Sequence, residues 1–260
     1  MMEEKLIDSH IQMPKSVLKR FEDKNHRFYY FDVKGGFIGN NGHSGKINTK
    51  QGFYSKEAEE FLNKNIEKPF SELFEVIDGI SIDPPQGHID AAFDYKAKRF
   101  VYALMARNPD SIDRINEYSF ITDLLTPQQS RDMGMILGFA AEAERESLAS
   151  YGTTVAFNTT EIPFVLPTCG AYYLNIMEMK HVVLPISPKK AIVFVEDKGK
   201  QIVIYDGVTH PYLINDVEDV EQFNIGAFSA QCRYGNGYVV SPNREALEAA
   251  KRNVFLNEQA

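Results

Sequence analysis

Four polar residues stand where a rigid scaffold commonly mounts chemistry, at the ends of expected elements and beside prolines or helix boundaries. They are His10, Arg107, Glu161 and Arg233. A histidine exchanges protons near neutral pH. A carboxylate such as Glu161 can orient that imidazole or bind a divalent cation. Arginines clamp anionic groups through two parallel hydrogen bonds. Folded into one hollow, the set suits phosphodiester or nucleotide chemistry. The alternative is structural: His10 caps the first helix, Arg107 pairs with Glu161 or Asp123, and the prolines turn corners.

Other motifs carry less. Gly45-Lys46 is followed by Ile47, and Asn40 stands where a phosphate loop needs its first glycine, so that pattern fails twice. Gly42-His43-Ser44-Gly45 lacks the spacing of a nucleophile elbow. Cys169 with His181 downstream allows a thiol–imidazole pair, although a packed structural cysteine is the expectation for both Cys169 and Cys232. Asp83, His88 and Asp90 surround two prolines and read as a polar surface turn rather than a metal site. The run FYYFDV from Phe28 offers aromatic faces for base stacking, but few basic residues accompany it, and packing is the expectation.

The elements that must position these residues change period halfway along the chain. Lys15 to Phe21 predicts a short helix and Arg27 to Val33 a strand, followed by a glycine-rich loop or irregular hairpin over 35–46. From Ser55, apolar residues recur at three- and four-residue steps to Ile77, a helix that Pro69 should kink or split. Ile89 to Arg107 predicts a second helix. Thr126-Pro127-Gln128-Gln129 opens a third with a capping box. Gly134 and Gly138 lie four apart in it, a face that could admit another backbone or a second copy of the chain. After Thr153 the period is two. Strands are expected over 153–158, 163–166, 172–177, 181–184, 191–196 and 201–205, the last two as a hairpin through Gly199. A helix over 216–231, a strand over 238–241 and a terminal helix capped by Asn243 complete the reading. This predicts an α+β fold, one domain over 1–260, with the mainly helical half (about 1–152) packed on one face of a mostly antiparallel sheet from the other half (about 153–260).

Composition sets the outer limits. The 260 residues include 28 Lys+Arg against 36 Asp+Glu, a net charge of -8, and 43% are hydrophobic. That balance disfavours binding duplex DNA through counterion release. No apolar run is of membrane-spanning length, and the acidic start predicts no secretory signal. Two cysteines exclude a disulfide scaffold or a four-cysteine zinc site and predict a reduced, cytoplasmic setting.

One resemblance goes further. His10-Ile11-Gln12-Met13-Pro14-Lys15-Ser16-Val17-Leu18-Lys19-Arg20-Phe21 resembles the opening of an uncharacterised bacterial family, domain of unknown function 4238. Phe53-Tyr54-Ser55, Glu67-Lys68-Pro69-Phe70, Arg107-Asn108-Pro109, Phe157 to Pro163, Leu184 to Pro188 and Asn224 to Arg233 are similar to its later motifs, in order. The resemblance implies grouping and fold, and no established activity. With it, His10, Arg107 and Glu161 become the candidate catalytic residues, and Gln12, Asn224 and Arg233 the candidate substrate contacts. Three functions follow as expectations. The first is a nucleotide- or RNA-directed hydrolase or transferase of the toxin or defence-effector kind. The others are a non-catalytic binding module and a homo-oligomeric component. No cofactor or metal is indicated.

Overall fold

A computed structural model describes residues 8–82, 85–86, 89–107, 112, 124–145, 147–176, 179–196 and 211–257. The chain opens with strand β1 (Asp8–His10), helix α1 (Lys15–Leu18) continued by a 3₁₀ turn to Phe21, and strands β2 (Phe28–Asp32), β3 (Phe37–Gly42) and β4 (Thr49–Gln51). Helix α2 (Lys56–Leu62) passes through a π turn (Asn63–Glu67) into α3 (Lys68–Ser71) and α4 (Leu73–Gly79). Short strands β5 (Ser81–Ile82) and β6 (Pro85–Gln86) lead to α5 (Ala91–Ala106) and α6 (Pro127–Arg145). Then come β7 (Tyr151–Asn158), β8 (Leu166–Pro167), β9 (Tyr172–Ile176), β10 (Met179–Ser187), β11 (Lys190–Glu196), β12 (Tyr212–Ile214), α7 (Val217–Arg233), β13 (Tyr238–Ser241) and α8 (Arg244–Asn257).

The expected α+β class is what the elements form. A five-stranded sheet has the order β12-β7-β11-β10-β9, antiparallel except for the β12–β7 pair. Its middle strands are buried on both faces, and period-two alternation sorts their side chains between two cores. Val155, Val182, Leu184, Ile192 and Phe194 face the helices of the first half. Their neighbours Ala156, Val183, Ala191 and Val193 pack with Phe223, Ala227 and Phe228 of α7. The helical half therefore covers one face, and the late helices cover the other. A second sheet, β3-β2-β13-β8, joins the early hairpin to late strands, so the halves interleave more than the sequence suggests.

The local signals act as chemistry requires. The Ser55, Asp90 and Asn243 side chains accept from backbone N–H groups in the first turns of α2, α5 and α8. Thr126 and Gln129 exchange the two bonds of a capping box at 3.2 and 2.9 Å. Pro69 splits the long helix as expected, and the break takes the form of a π turn just before it. The predicted strand over 163–166 reaches sheet geometry only at Leu166. Asn224 supplies a substitute ladder upstream: its Oδ1 accepts from the Val165 N–H at 2.9 Å and its Nδ2 donates to the Pro163 carbonyl at 2.9 Å. The strand expected to end at Leu184 runs on to Ser187, with an irregularity in register at Pro185 to Ser187 absorbing the proline. Gly134 and Gly138 are buried in α6, which packs on α5, so that close-approach face is turned inward. The hairpin through Gly199 and the strand over 201–205 lie outside the described residues. Among the described residues, no helix is long and apolar enough to cross a membrane.

Asn224 carries a stability prediction. Asn224→Leu keeps the branched outline of the side chain but leaves a buried N–H and a buried carbonyl unpaired, and lowers unfolding free energy by about 2–3 kcal/mol. Urea denaturation measures it, and a midpoint equal to wild type would refute the substitute ladder.

Candidate functional site

The site is built around β1 and the turn that follows β3. Strand β1 pairs antiparallel with β4, His10 opposite Thr49. The tight turn over 43–47 closes through the Lys46 and Ile47 N–H groups donating to the His43 carbonyl, both at 3.1 Å. Its Ser44 carbonyl meets His10 Nε2 at 2.9 Å. A carbonyl only accepts, so Nε2 carries the proton and Nδ1 holds the lone pair of the neutral ring. Asn48, held at a positive φ of 57°, presents its backbone carbonyl to the Ile11 N–H at 3.0 Å. Its side-chain oxygen, in the orientation that satisfies both groups, accepts from the Gln12 and Met13 N–H groups.

Arg107 enters from the other side, at the C-terminal end of α5, and only 2% of it is exposed. Nη2 forms an ion pair with Glu67 Oε1, and Nη1 donates to the Gln12 carbonyl at 3.2 Å. Glu67 is the last residue of the π turn, a feature frequent at functional positions. Its side chain is 23% exposed, so one end of the ion pair reaches solvent. Glu59, two turns earlier, takes a hydrogen bond from the buried Ser9, whose hydroxyl oxygen also accepts from the Tyr54 N–H at 3.3 Å. Three buried polar atoms of this group have no hydrogen-bond partner among the described residues: Arg107 Nε, Glu59 Oε1 and Gln12 Nε2.

The electrostatics follow from burial. Desolvation lowers the His10 pKa below its ordinary value; the Ser44 bond and Glu67 oppose this, and Arg107 and Lys15 reinforce it. Burial raises the Glu59 pKa, against the Ser9 bond and the Arg107 charge. The Arg107 charge thus acts on both an imidazole biased towards its neutral form and a carboxyl whose pKa is raised, although Ser9, which bonds Glu59, and His10 alternate along β1 and point to opposite faces of it.

A second buried polar group continues from Gln12. The Thr168 hydroxyl lies 3.5 Å from Gln12 Oε1 and 3.3 Å from Gln231 Oε1, and the latter accepts from the Cys169 N–H at 2.8 Å. Gly237, at φ +82°, lets the chain pass: a Cβ there would lie 2.6 Å from Gln231 Nε2. This network ties β1 to the late strands.

The structure brings His10, Gln12 and Arg107 together. Glu161 and Asn224 lie elsewhere, with Glu221 on a hollow of about 330 Å3 between the turn after β7 and helices α7 and α8. Glu161 is exposed there, and Asn224 spends both amide atoms on backbone. Arg233 is exposed at the end of α7, while Gln231, two residues before it, is buried in the network. Two structural expectations are corrected. Helix α1 has Pro14 at its N-cap with no side-chain bond, so His10 is no cap; its imidazole is drawn off to Ser44. Arg107 pairs with Glu67, because α5 and the π turn are packed neighbours; Asp123 lies outside the described residues.

Glu59 and Glu67 are what the sequence reading missed. Glu59 reads as a helix-dipole charge and Glu67 as part of a helix. The available signal was that Glu59 stands three residues before Leu62 and Glu67 three before Phe70, on the apolar side of the helix, with Pro69 just after Glu67. Burial pushes the Cys169 thiol up to about 12, which removes it as a nucleophile at neutral pH. Asp83 and His88 lie outside the described residues, and Asp90 caps α5. Among the described residues, no group of three or more His, Cys, Asp and Glu side chains could hold a metal ion.

Comparison with known protein families, with curated proteins and with solved structures returns no match for this chain.

Proposed function

We propose that the chain is a nucleotide- or RNA-directed hydrolase or transferase working by proton transfer at the His10 cluster, in a cytoplasmic setting and of the toxin or defence-effector kind. The kinship with the family of domain of unknown function 4238 belongs to the same proposal. The observation that carries it is the convergence of His10 and Glu67 on Arg107, whose charge Glu59 also feels, around buried polar atoms that have no hydrogen-bond partner among the described residues. His10 Nδ1 removes a proton from the attacking hydroxyl or water and, as the imidazolium, returns one to the leaving group. Arg107 orients Gln12 and Glu67 rather than neutralising substrate, since its own charge is already engaged. Substrate anions are then left to Lys15 and Lys46, both exposed around the 43–47 turn. The test is product formation from nucleoside phosphates and short single-stranded RNA by the purified chain. Accumulating product is expected, and none with any of these substrates would contradict the reading.

The engagement of Arg107 by Glu67 and the Gln12 carbonyl also favours a second reading, a non-catalytic binding module in which the cluster fastens β1 to the helices. That reading keeps the stability effect of Arg107 and loses turnover altogether.

A further inference from the structure

We infer that the hollow beside the 43–47 turn is a subsite for the base of a nucleotide, with the phosphate of the same molecule lying towards Lys46 and Lys15; this deepens the proposed function and rests on it. The hollow measures about 230 Å3 and is lined by Tyr30, Asp32, Asn41, His43, Lys46 and Tyr238 among others. That is room for one ring system, not for an oligonucleotide. Tyr30 lies across the bare backbone of β3: a Cβ on Gly39 would come within 2.3 Å of its ring, and one on Gly42 within 2.8 Å. Glycine at both positions is therefore what lets this ring lie there. Tyr238 meets Tyr30 edge to face, centroids 5.7 Å apart at 83°. Two rings at right angles make a corner, and a planar base placed in it stacks on one ring with its edge against the other.

The polar groups suit the edge of a base and the charge of a phosphate. Asn41 is held in the left-handed region, at φ 64°, on the wall of the hollow. Such a conformation is uncommon for a residue with a side chain and clusters at functional positions. Its amide both donates and accepts, as base edges demand. His43 Nδ1 accepts from the Gly45 N–H at 3.1 Å, so its neutral ring carries the proton on Nε2, as a donor. Asp32 adds an acceptor and Lys46 a cation. The Lys15 ammonium lies 3.8 Å from where a Cβ on Gly45 would be, on the same turn whose Ser44 carbonyl holds His10. A nucleotide seated in the corner thus extends its phosphate along the turn towards the proton-transfer group. A ligand with only a ring or only an anion would leave half of these groups unused.

Calorimetric titration of the full chain with AMP, GMP, CMP, UMP, their nucleosides and inorganic phosphate tests this at millimolar ligand. At least one monophosphate should bind more tightly than both its nucleoside and phosphate. Lys46→Gln should weaken the monophosphate about tenfold and leave the nucleoside unchanged, and Tyr238→Leu should weaken both about tenfold. Tyr238→Phe keeps the ring and should bind like wild type, which guards against a folding defect. His10→Gln should also bind like wild type, so binding without turnover in wild type would sink the catalytic reading and leave the subsite standing. No binding of any monophosphate, or binding unaffected by Tyr238→Leu and Lys46→Gln, overturns the subsite.

Discussion

Arg107→Met lowers the unfolding free energy by about 3 kcal/mol, the largest stability loss expected from any single change in the site. The cause is the charge left behind. Arg107 is almost fully buried, pairs with Glu67 and holds the Gln12 carbonyl. Removing one partner of a buried pair strands the other, typically for about 3–5 kcal/mol. The lower end applies because the Glu67 side chain still reaches water at 23% exposure. For a chain of this length such a loss moves the Tm down by about 6–12 °C. Arg107→Lys keeps the charge but loses the fork that spans Glu67 and Gln12, and falls between the two. Adding Glu67→Gln to Arg107→Met restores part of the loss, because the stranded carboxylate is gone; the pair is coupled, not additive. Thermal unfolding of wild type, Arg107→Met, Arg107→Lys, Glu67→Gln and the double variant measures all of this. A loss below about 1 kcal/mol in Arg107→Met would mean that the guanidinium holds nothing together.

On the proposed hydrolase or transferase reading, His10→Gln is expected to lower turnover by about 10²–10⁴-fold while the protein stays folded, the range that a positioned general base contributes. Glutamine can still donate to the Ser44 carbonyl, as His10 Nε2 does at 2.9 Å, so the turn keeps its anchor and only the base is lost. The pH dependence has a definite sign. Burial depresses the His10 pKa, so the folded chain holds fewer protons than the unfolded one between its own midpoint and about 6.5. Stability is then fully present above that ordinary value and falls as pH drops through the window. The rate limb controlled by His10 rises with pH through the folded midpoint, at the lower edge of that window, because only the neutral ring accepts a proton. Glu59 acts oppositely: its raised pKa adds stability at low pH that is lost as pH climbs through the folded midpoint. Rate profiles of wild type and His10→Gln check the pair of claims. Equal turnover in the two proteins would remove His10 from the reaction.

Much of the fold was legible because its signals are local. The helix start at Ser55, the Thr126 and Asn243 caps, the split at Pro69 and the alternation in 153–158 and 191–196 each follow from a few neighbouring residues. The pairing of β2 with β13 and the parallel β12–β7 contact were not legible, since they join segments far apart in sequence. Site residues divide in the same way. His10, Gln12 and Arg107 could be singled out by position, and they converge. Glu161 and Asn224 were singled out by the same logic but face another hollow. Proline-flanked ends mark corners, and sequence does not say which corners meet. Glu59 and Glu67 stayed hidden because a carboxylate on a helix reads as solvated until the packing of α5 brings a guanidinium against it.

The unity of the cluster is most directly measured by the proton-NMR titration of the His10 ring in wild type and in Glu67→Gln. A wild-type midpoint below the ordinary histidine value is expected, and a lower one still once the Glu67 charge that opposes the shift is removed. One ordinary midpoint shared by both proteins would show a solvated imidazole indifferent to Glu67, and the proposed site would have no electrostatic basis.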